Sequence, residues 1–238
     1  SSDAHDRGAA RSPDGAMIAF VSDRSGEEEI WLIAQDGSAA PEALTKDSRS
    51  RRLGLRWSPD GKRIAFSDQT GRIFSLTVET REVVEVARDK EGNVGDYLWS
   101  SDGAWLAFSL ADENTLSSIW IWGSEKGDLH RATGEMWSES EPTWDPAGNY
   151  LYYLSDREYA PQLSGIEWNF ATNRTSGIFA LALRKDVKHP FPPESDEVTL
   201  AAKDASKDAK PEKEAGDKSE AKTEEKKESA PNADPFGG

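Results

Sequence analysis

Three features of the 238-residue sequence predict an all-β fold, a β-propeller of four-stranded blades. A turn motif recurs with its glycines 46, 42 and 45 residues apart, an apolar strand follows each turn, and each period accommodates four short strands. About four blades are present, and a propeller ring holds four to eight. No segment resembles a strand that returns to the first blade, so we expect an incomplete ring.

Each repeat contains a tight turn that ends in a glycine. The first two turns have the sequence Ser-Pro-Asp-Gly and the later two Ser-Ser-Asp-Gly and Asp-Pro-Ala-Gly, ending at Gly15, Gly61, Gly103 and Gly148. Proline presets φ, aspartate hydrogen-bonds to nearby backbone, and glycine accepts a positive φ. The turn therefore joins an inner strand to the next strand as a hairpin.

Apolar strands follow these turns in a constant order. The first set comprises residues 18–20, 64–66, 106–108 and 151–153. The second set comprises residues 30–33, 73–76, 119–122 and 178–181. A further strand is expected at residues 42–45, 83–86 and 128–131. Together with the inner strand before each turn, these segments make one blade per repeat.

A tryptophan ends three of the four inner strands, namely Trp57, Trp99 and Trp144, whereas Arg11 occupies this position in the first repeat. Recurrence at one position in successive blades favours packing between neighbouring blades. The alternative is an aromatic platform for a ligand. We expect that Arg11 marks an exposed end of the arc, or that the neighbour of the first blade lies outside this sequence.

The fourth repeat departs from the others because residues 158–176 separate its two central strands. Trp168 and Phe170 lie in this insertion, and we expect them to cover a blade face or to contact another domain. No outer strand is evident before Pro190. We therefore expect residues 1–200 to form a partial propeller, with blades near 7–46, 47–90, 91–134 and 135–200.

Residues 201–238 are rich in Lys, Glu, Ala, Asp and Ser and contain almost no large apolar side chains. Such a composition cannot bury enough apolar surface to offset the entropy lost on ordering. We expect a disordered linker or insertion.

The net charge of the whole chain is −15, which disfavours binding to nucleic acid or to an anionic membrane and is compatible with binding peptides or proteins.

A basic cluster contrasts with this acidic background at the connection between the first two blades. It comprises Lys46, Arg49, Arg51, Arg52 and Arg56. One hypothesis is that these side chains attract acidic groups such as a peptide carboxyl terminus. The alternative is a solvated loop with no binding role.

No sequence motif predicts catalysis, cofactor binding or metal binding. A nucleophile elbow, a phosphate loop, a dinucleotide fingerprint and a zinc motif are all missing, and there is no cysteine. None of the three histidines is paired in sequence with a nucleophile or a ligand set; they are His5, His130 and His189. Three aspartates recur at one position of separate blades, which favours turn capping over metal binding: Asp23, Asp68 and Asp156.

The stretch from Ser22-Asp-Arg-Ser-Gly26 to Leu44-Thr45 resembles the TolB-type propeller repeat, which TolB, the tricorn proteases and the propellers of prolyl-oligopeptidase relatives share. Residues 152–157, 167–170, 181–186 and 190–197 resemble bacterial tricorn protease homologues more specifically. The resemblance covers residues 11–200. It implies a non-catalytic part of the second propeller of a serine peptidase, whose catalytic residues lie in other domains.

The same resemblance implies a role in filtering and channelling peptide substrates to that peptidase. The implied partners are peptides, other domains of the same polypeptide and further copies in a homo-oligomer. The implied location is the cytoplasm, with the periplasm as the alternative. Two other functions remain open: a TolB-like scaffold without an enzyme, and the propeller of a prolyl-oligopeptidase relative. Sequence beyond Gly238 would separate the three functions. A PDZ domain followed by a serine-peptidase domain would support the tricorn-like function, a stop codon the scaffold, and a Gly-x-Ser-x-Gly domain the prolyl-oligopeptidase relative.

Overall fold

A computed structural model describes residues 4–92, 94–158, 161–163, 170–172 and 176–192. Every regular element within these ranges is a β-strand. Trp168 and the charged segment 201–238 lie outside the described residues.

The first two repeats each form one four-stranded antiparallel sheet with its strands in chain order. The first blade contains β1 (Asp6–Arg11), β2 (Met17–Ser22), β3 (Glu29–Ala34) and β4 (Glu42–Ala43). The second contains β5 (Arg52–Trp57), β6 (Arg63–Asp68), β7 (Arg72–Thr77) and β8 (Val83–Arg88).

The third repeat has the same arrangement, and the fourth is shorter. The third blade contains β9 (Leu98–Trp99), β10 (Trp105–Ala111), β11 (Ser117–Gly123) and β12 (Leu129–Arg131). The fourth contains β13 (Glu139–Trp144), β14 (Tyr150–Ser155) and β17 (Gly177–Ala182), a three-stranded sheet in the part of the chain that is described. A separate pair, β15 (Pro161–Leu163) and β16 (Phe170–Thr172), lies within the insertion.

Hydrogen bonds in the repeated turns follow the predicted chemistry. In the second blade, the Asp60 carboxylate accepts hydrogen bonds from the Ser58 hydroxyl at 2.6 Å and from the Lys62 amide at 3.1 Å. The final glycines have φ between 70° and 76° in all four turns. In the fourth turn, Asp145 replaces the serine and accepts the Asn149 amide at 3.0 Å. The turn therefore keeps its geometry although the carboxylate is on the first residue of the fourth turn and on the third residue of the others.

The apolar core lies between blades rather than within them. Each of its three clusters combines side chains from two successive blades, as in the first, where Ala19 and Val21 meet Ile64 and Phe66. The inner strands β1, β5, β9 and β13 also contact one another in that order. This arrangement confirms the predicted all-β propeller, and the four blades do not close into a ring within the described residues.

The recurring tryptophans join neighbouring blades, as the sequence predicts. Each indole N–H donates a hydrogen bond to a carbonyl on the inner strand of the preceding blade, at 3.0 Å, 3.1 Å and 3.0 Å for Trp57 to Ala10, Trp99 to Arg56 and Trp144 to Leu98. Each tryptophan thus fixes one inner strand against the next. In the first blade, Arg11 takes the position of the tryptophan and donates to the Gly15 carbonyl at 3.4 Å.

Among the residues that the structure describes, no helix has the length and apolarity needed to cross a membrane.

Candidate functional site

The basic cluster at the connection between the first two blades divides into exposed and buried members. The side chains of Arg49 and Arg51 are exposed, as is that of Lys46. Arg51 Nε lies 3.6 Å from Glu28 Oε1, and the same glutamate pairs with Arg7 of β1. A carboxylate therefore already offsets part of the positive charge at this connection.

Arg52 does not belong to the surface that the sequence suggested, because only 9% of the residue is exposed. Its guanidinium carbon lies 5.1 Å from the ring centroid of Phe66 and 5.5 Å from that of Phe74. Burial lowers the pKa of Arg52, while the charges of Glu29 and Asp68 act in the opposite direction. Arg52 is therefore an interior cation stacked on aromatic rings, and we remove it from the candidate contact surface.

Arg56 lies on the inner strand β5 with an exposed side chain, while its backbone carbonyl holds the Trp99 indole. The backbone of Arg56 therefore takes part in packing between blades, whereas its guanidinium group faces solvent. Arg49, Arg51 and Arg56 remain as the candidate cationic surface.

The structure leaves the two aromatic residues of the insertion largely undescribed. Trp168 lies outside the described residues, and for Phe170 only the backbone is described. Phe170 begins β16 and pairs with Leu163 of β15. The predicted contact of these side chains with a blade face or another domain stays a prediction.

The recurring aspartates are occupied by hydrogen bonds. Asp68 accepts the amides of Thr70 at 2.9 Å and Arg72 at 3.2 Å, which caps its own turn. Asp23 accepts the His5 amide at 2.8 Å, and Asp156 accepts the Ser176 hydroxyl. These carboxylates therefore tie turns and neighbouring segments together.

The histidines make no contact typical of nucleophile activation within the described residues. His130 Nε2 lies 2.7 Å from Asp128 Oδ2, and the ring of His189 accepts the Phe191 amide at 3.1 Å. In the same ranges, no group of three or more His, Cys, Asp or Glu side chains could hold a metal ion.

A cleft that no sequence motif indicated lies between the third and fourth blades. It has a volume of about 380 Å³, and its walls include Trp105, Ile121 and Trp144. The equivalent gap between the first two blades measures about 210 Å³, with Met17 at the position of Trp105. A sequence signal was available, because Trp105 occupies a strand position that holds Met17 and Arg63 in the earlier repeats.

Comparison with known proteins gives a consistent result. Residues 1–231 match the family described as the tricorn protease second β-propeller domain. The chain is 24% identical over 180 residues to tricorn protease homolog 1 of Streptomyces coelicolor, covering 74% of this chain and 17% of that protein. It is 31% identical over 156 residues to a TolB homolog of Chlorobium luteolum, covering 64% of this chain and 34% of that protein.

A solved structure supports the same fold. The crystal structure of the tricorn protease aligns with a TM-score of 0.70 and 19% sequence identity, covering 78% of this chain and 18% of that chain. This likeness establishes the architecture. The chain spans less than a fifth of the length of either tricorn protein.

Proposed function

The chain belongs to the tricorn protease second β-propeller family, and we propose that it selects and channels peptides for a serine-peptidase domain located elsewhere in the same polypeptide. In this role the chain itself performs no bond cleavage. Its partners are peptide substrates, the other domains of the polypeptide and further copies of it.

The proposed location is the cytoplasm, with the periplasm as the alternative. Fractionation of cells that express the parent protein tests this location.

The exposed cations on and beside the inner strand β5 carry this proposal. Arg49 and Arg51 precede the strand and Arg56 lies on it, all three with exposed side chains. These three cations contrast with the net charge of the whole chain, which is −15. A local positive surface in an acidic protein attracts the carboxyl terminus or acidic side chains of a peptide and raises the rate of encounter.

Charge reversal in the full-length parent peptidase tests the proposal. We expect Arg51→Glu combined with Arg56→Glu to lower kcat/KM for a peptide with a free carboxyl terminus by about tenfold. The same peptide with an amidated terminus should lose less, because it lacks the attracted charge. Arg88→Glu, on the outer strand β8, provides a control with the same change of charge. Equal losses for both peptides, or no loss, would contradict the role.

A scaffold function is favoured by one observation, the 31% identity to a TolB homolog. In that case the chain binds a folded protein through its blade surfaces, and the parent protein does not turn over the peptide, with or without Arg51→Glu and Arg56→Glu. The charge-reversal experiment therefore distinguishes the two functions.

A further inference from the structure

We propose that the cleft between the third and fourth blades is a binding site for a cationic side chain, arginine or lysine, of a peptide. This site is separate from the cationic surface beside β5. The proposal depends on the cleft alone and does not require that the chain serve a peptidase.

Two indoles form apolar walls of the cleft. Trp144 is fixed from the fourth blade, because its N–H donates to the Leu98 carbonyl at 3.0 Å. Trp105 faces the cleft from the third blade and is 37% exposed, although it begins a central strand. An indole face attracts an ammonium or guanidinium group through its quadrupole, and tryptophan is the strongest aromatic partner. The aliphatic stem of such a side chain would pack against Ile121 and Leu183.

Two carboxylates line the same cleft, and turn hydrogen bonds hold each in place. Asp102 accepts the Ala104 amide at 3.0 Å, and Asp145 accepts the Asn149 amide at 3.0 Å. The hydrogen bond from the Ser100 hydroxyl is the main reason that the pKa of Asp102 lies below its ordinary value. Asp102 is thus ionised at neutral pH and can pair with an incoming cation.

The basic groups at the cleft already have acidic partners. Arg184 donates to Asn149 Oδ1 at 2.9 Å, and its Nε lies 3.4 Å from Asp186 Oδ1. His130 is hydrogen-bonded to Asp128. The unpaired charge at the rim is therefore negative, and the net charge of −15 adds a long-range attraction for cations.

The equivalent gap between the first two blades differs in volume, in its aromatic walls and in the neighbour of one carboxylate. It is smaller, at about 210 Å³. Met17 stands at the position that Trp105 occupies in the larger cleft, so only one indole among the described residues lines this gap. Its Asp60 has a cationic neighbour, since Lys62 Nζ lies 3.7 Å from Asp60 Oδ2. The repeat therefore supplies an internal comparison, a smaller gap with one indole wall in place of two.

Calorimetric titration of the whole chain with three short capped peptides tests the site. They are identical except for one central residue, which is arginine, citrulline or glutamate. Citrulline keeps the shape of arginine without its charge. We expect the arginine peptide to bind about tenfold more tightly than the citrulline peptide and the glutamate peptide to bind weakest. Equal binding of arginine and citrulline, tighter binding of glutamate, or no binding of any peptide at millimolar concentration overturns the proposal.

Two substitutions locate the binding. Asp102→Asn removes the charge and keeps an oxygen for the turn, and Trp105→Met installs the residue found at the equivalent position of the first blade. We expect each to weaken the arginine peptide several-fold. Asp14→Asn is the matched control, because Asp14 accepts the same turn hydrogen bonds at the smaller gap. An equal loss in this control, or no loss in Asp102→Asn, places binding elsewhere and overturns the assignment. Thermal melting of each variant establishes that it is folded.

Discussion

At the scale of single residues, Asp68 is a buried carboxylate that accepts several hydrogen bonds. It is 2% exposed, at the end of β6. Its oxygens accept hydrogen bonds from the hydroxyls of Thr70 and Ser50, both at 2.7 Å, and from the Arg72 guanidinium at 2.9 Å and 2.6 Å. Burial alone would raise the pKa of Asp68. The hydrogen bonds outweigh burial and hold the pKa far below the ordinary value of 3.8.

This environment predicts a pH-dependent loss of stability for Asp68→Asn. Because the folded-state pKa is depressed, the ionised carboxylate stabilises the protein fully at pH above its ordinary pKa of 3.8. That contribution fades as the pH falls below this value towards the folded-state pKa. We expect the substitution to lower the free energy of unfolding by about 2 kcal/mol at neutral pH and by progressively less as the pH falls below 3.8.

Urea unfolding of both proteins across this pH range measures the difference. Asp14→Asn is the control, since Asp14 is an exposed turn residue whose replacement should cost less at every pH. A penalty for Asp68→Asn that stays constant down to pH about 3 would contradict the assigned role of the charge.

At the scale of elements, the hairpin between β6 and β7 depends on Gly71. This glycine has φ +79°, and a Cβ added to it would lie 2.6 Å from Gly92 Cα and 2.9 Å from the Asp89 carbonyl oxygen. Both neighbours are backbone, so they cannot move aside as a flexible side chain would. The hairpin therefore fits against the segment after β8 only when position 71 has no side chain.

We expect Gly71→Ala to destabilise the protein more than Gly37→Ala. Gly37 has a similar φ of +71°, but its added Cβ would meet no atom within 4 Å. Gly37→Ala should cost about 1 kcal/mol from the left-handed backbone alone. Gly71→Ala should cost a further ~1–3 kcal/mol from overpacking. Chemical denaturation of the two variants measures the difference, and equal costs would show that the close approach is absent.

At the scale of the whole molecule, stability depends on how many neighbours a blade has. The second and third blades pack on both faces, and the central residues of β6 and β10 are fully buried. The outer face of the fourth blade is different, with Ile178 on β17 78% exposed and Phe191 76% exposed. Apolar surface of this kind usually marks a contact with another domain or protein.

Hydrogen exchange should follow this gradient. We expect backbone amides of β6 and β10 to exchange at least about tenfold more slowly than those of β17, because local opening is easiest where a blade has one neighbour. Mass spectrometry of the exchanging chain resolves these strands. Equal exchange rates for the amides of β17 and β10 would contradict this prediction, because the exposed outer face would then not make the fourth blade easier to open.

Local features of this fold were predictable from the sequence, whereas features that depend on long-range contacts were not. The turns ending at Gly61 and Gly103 and the strands after them were predictable, because φ preferences and strand propensity act within a few residues. The packing of Trp99 between neighbouring blades was also predictable, since repetition relates equivalent positions. Arg52 was misplaced because its burial depends on Phe66 and Phe74, which lie well after it in sequence.

The sequence by itself determined the repeated blade, the order of its strands and the resemblance to tricorn protease homologues. Each of these follows from short-range chemistry or from periodicity, both of which are present in the order of residues. Only the tertiary structure decided that Arg52 is interior and that Trp105 and Trp144 line one cleft with Asp102. Those facts arise from side chains of different blades, and their distances are set by how the sheets pack rather than by any local preference.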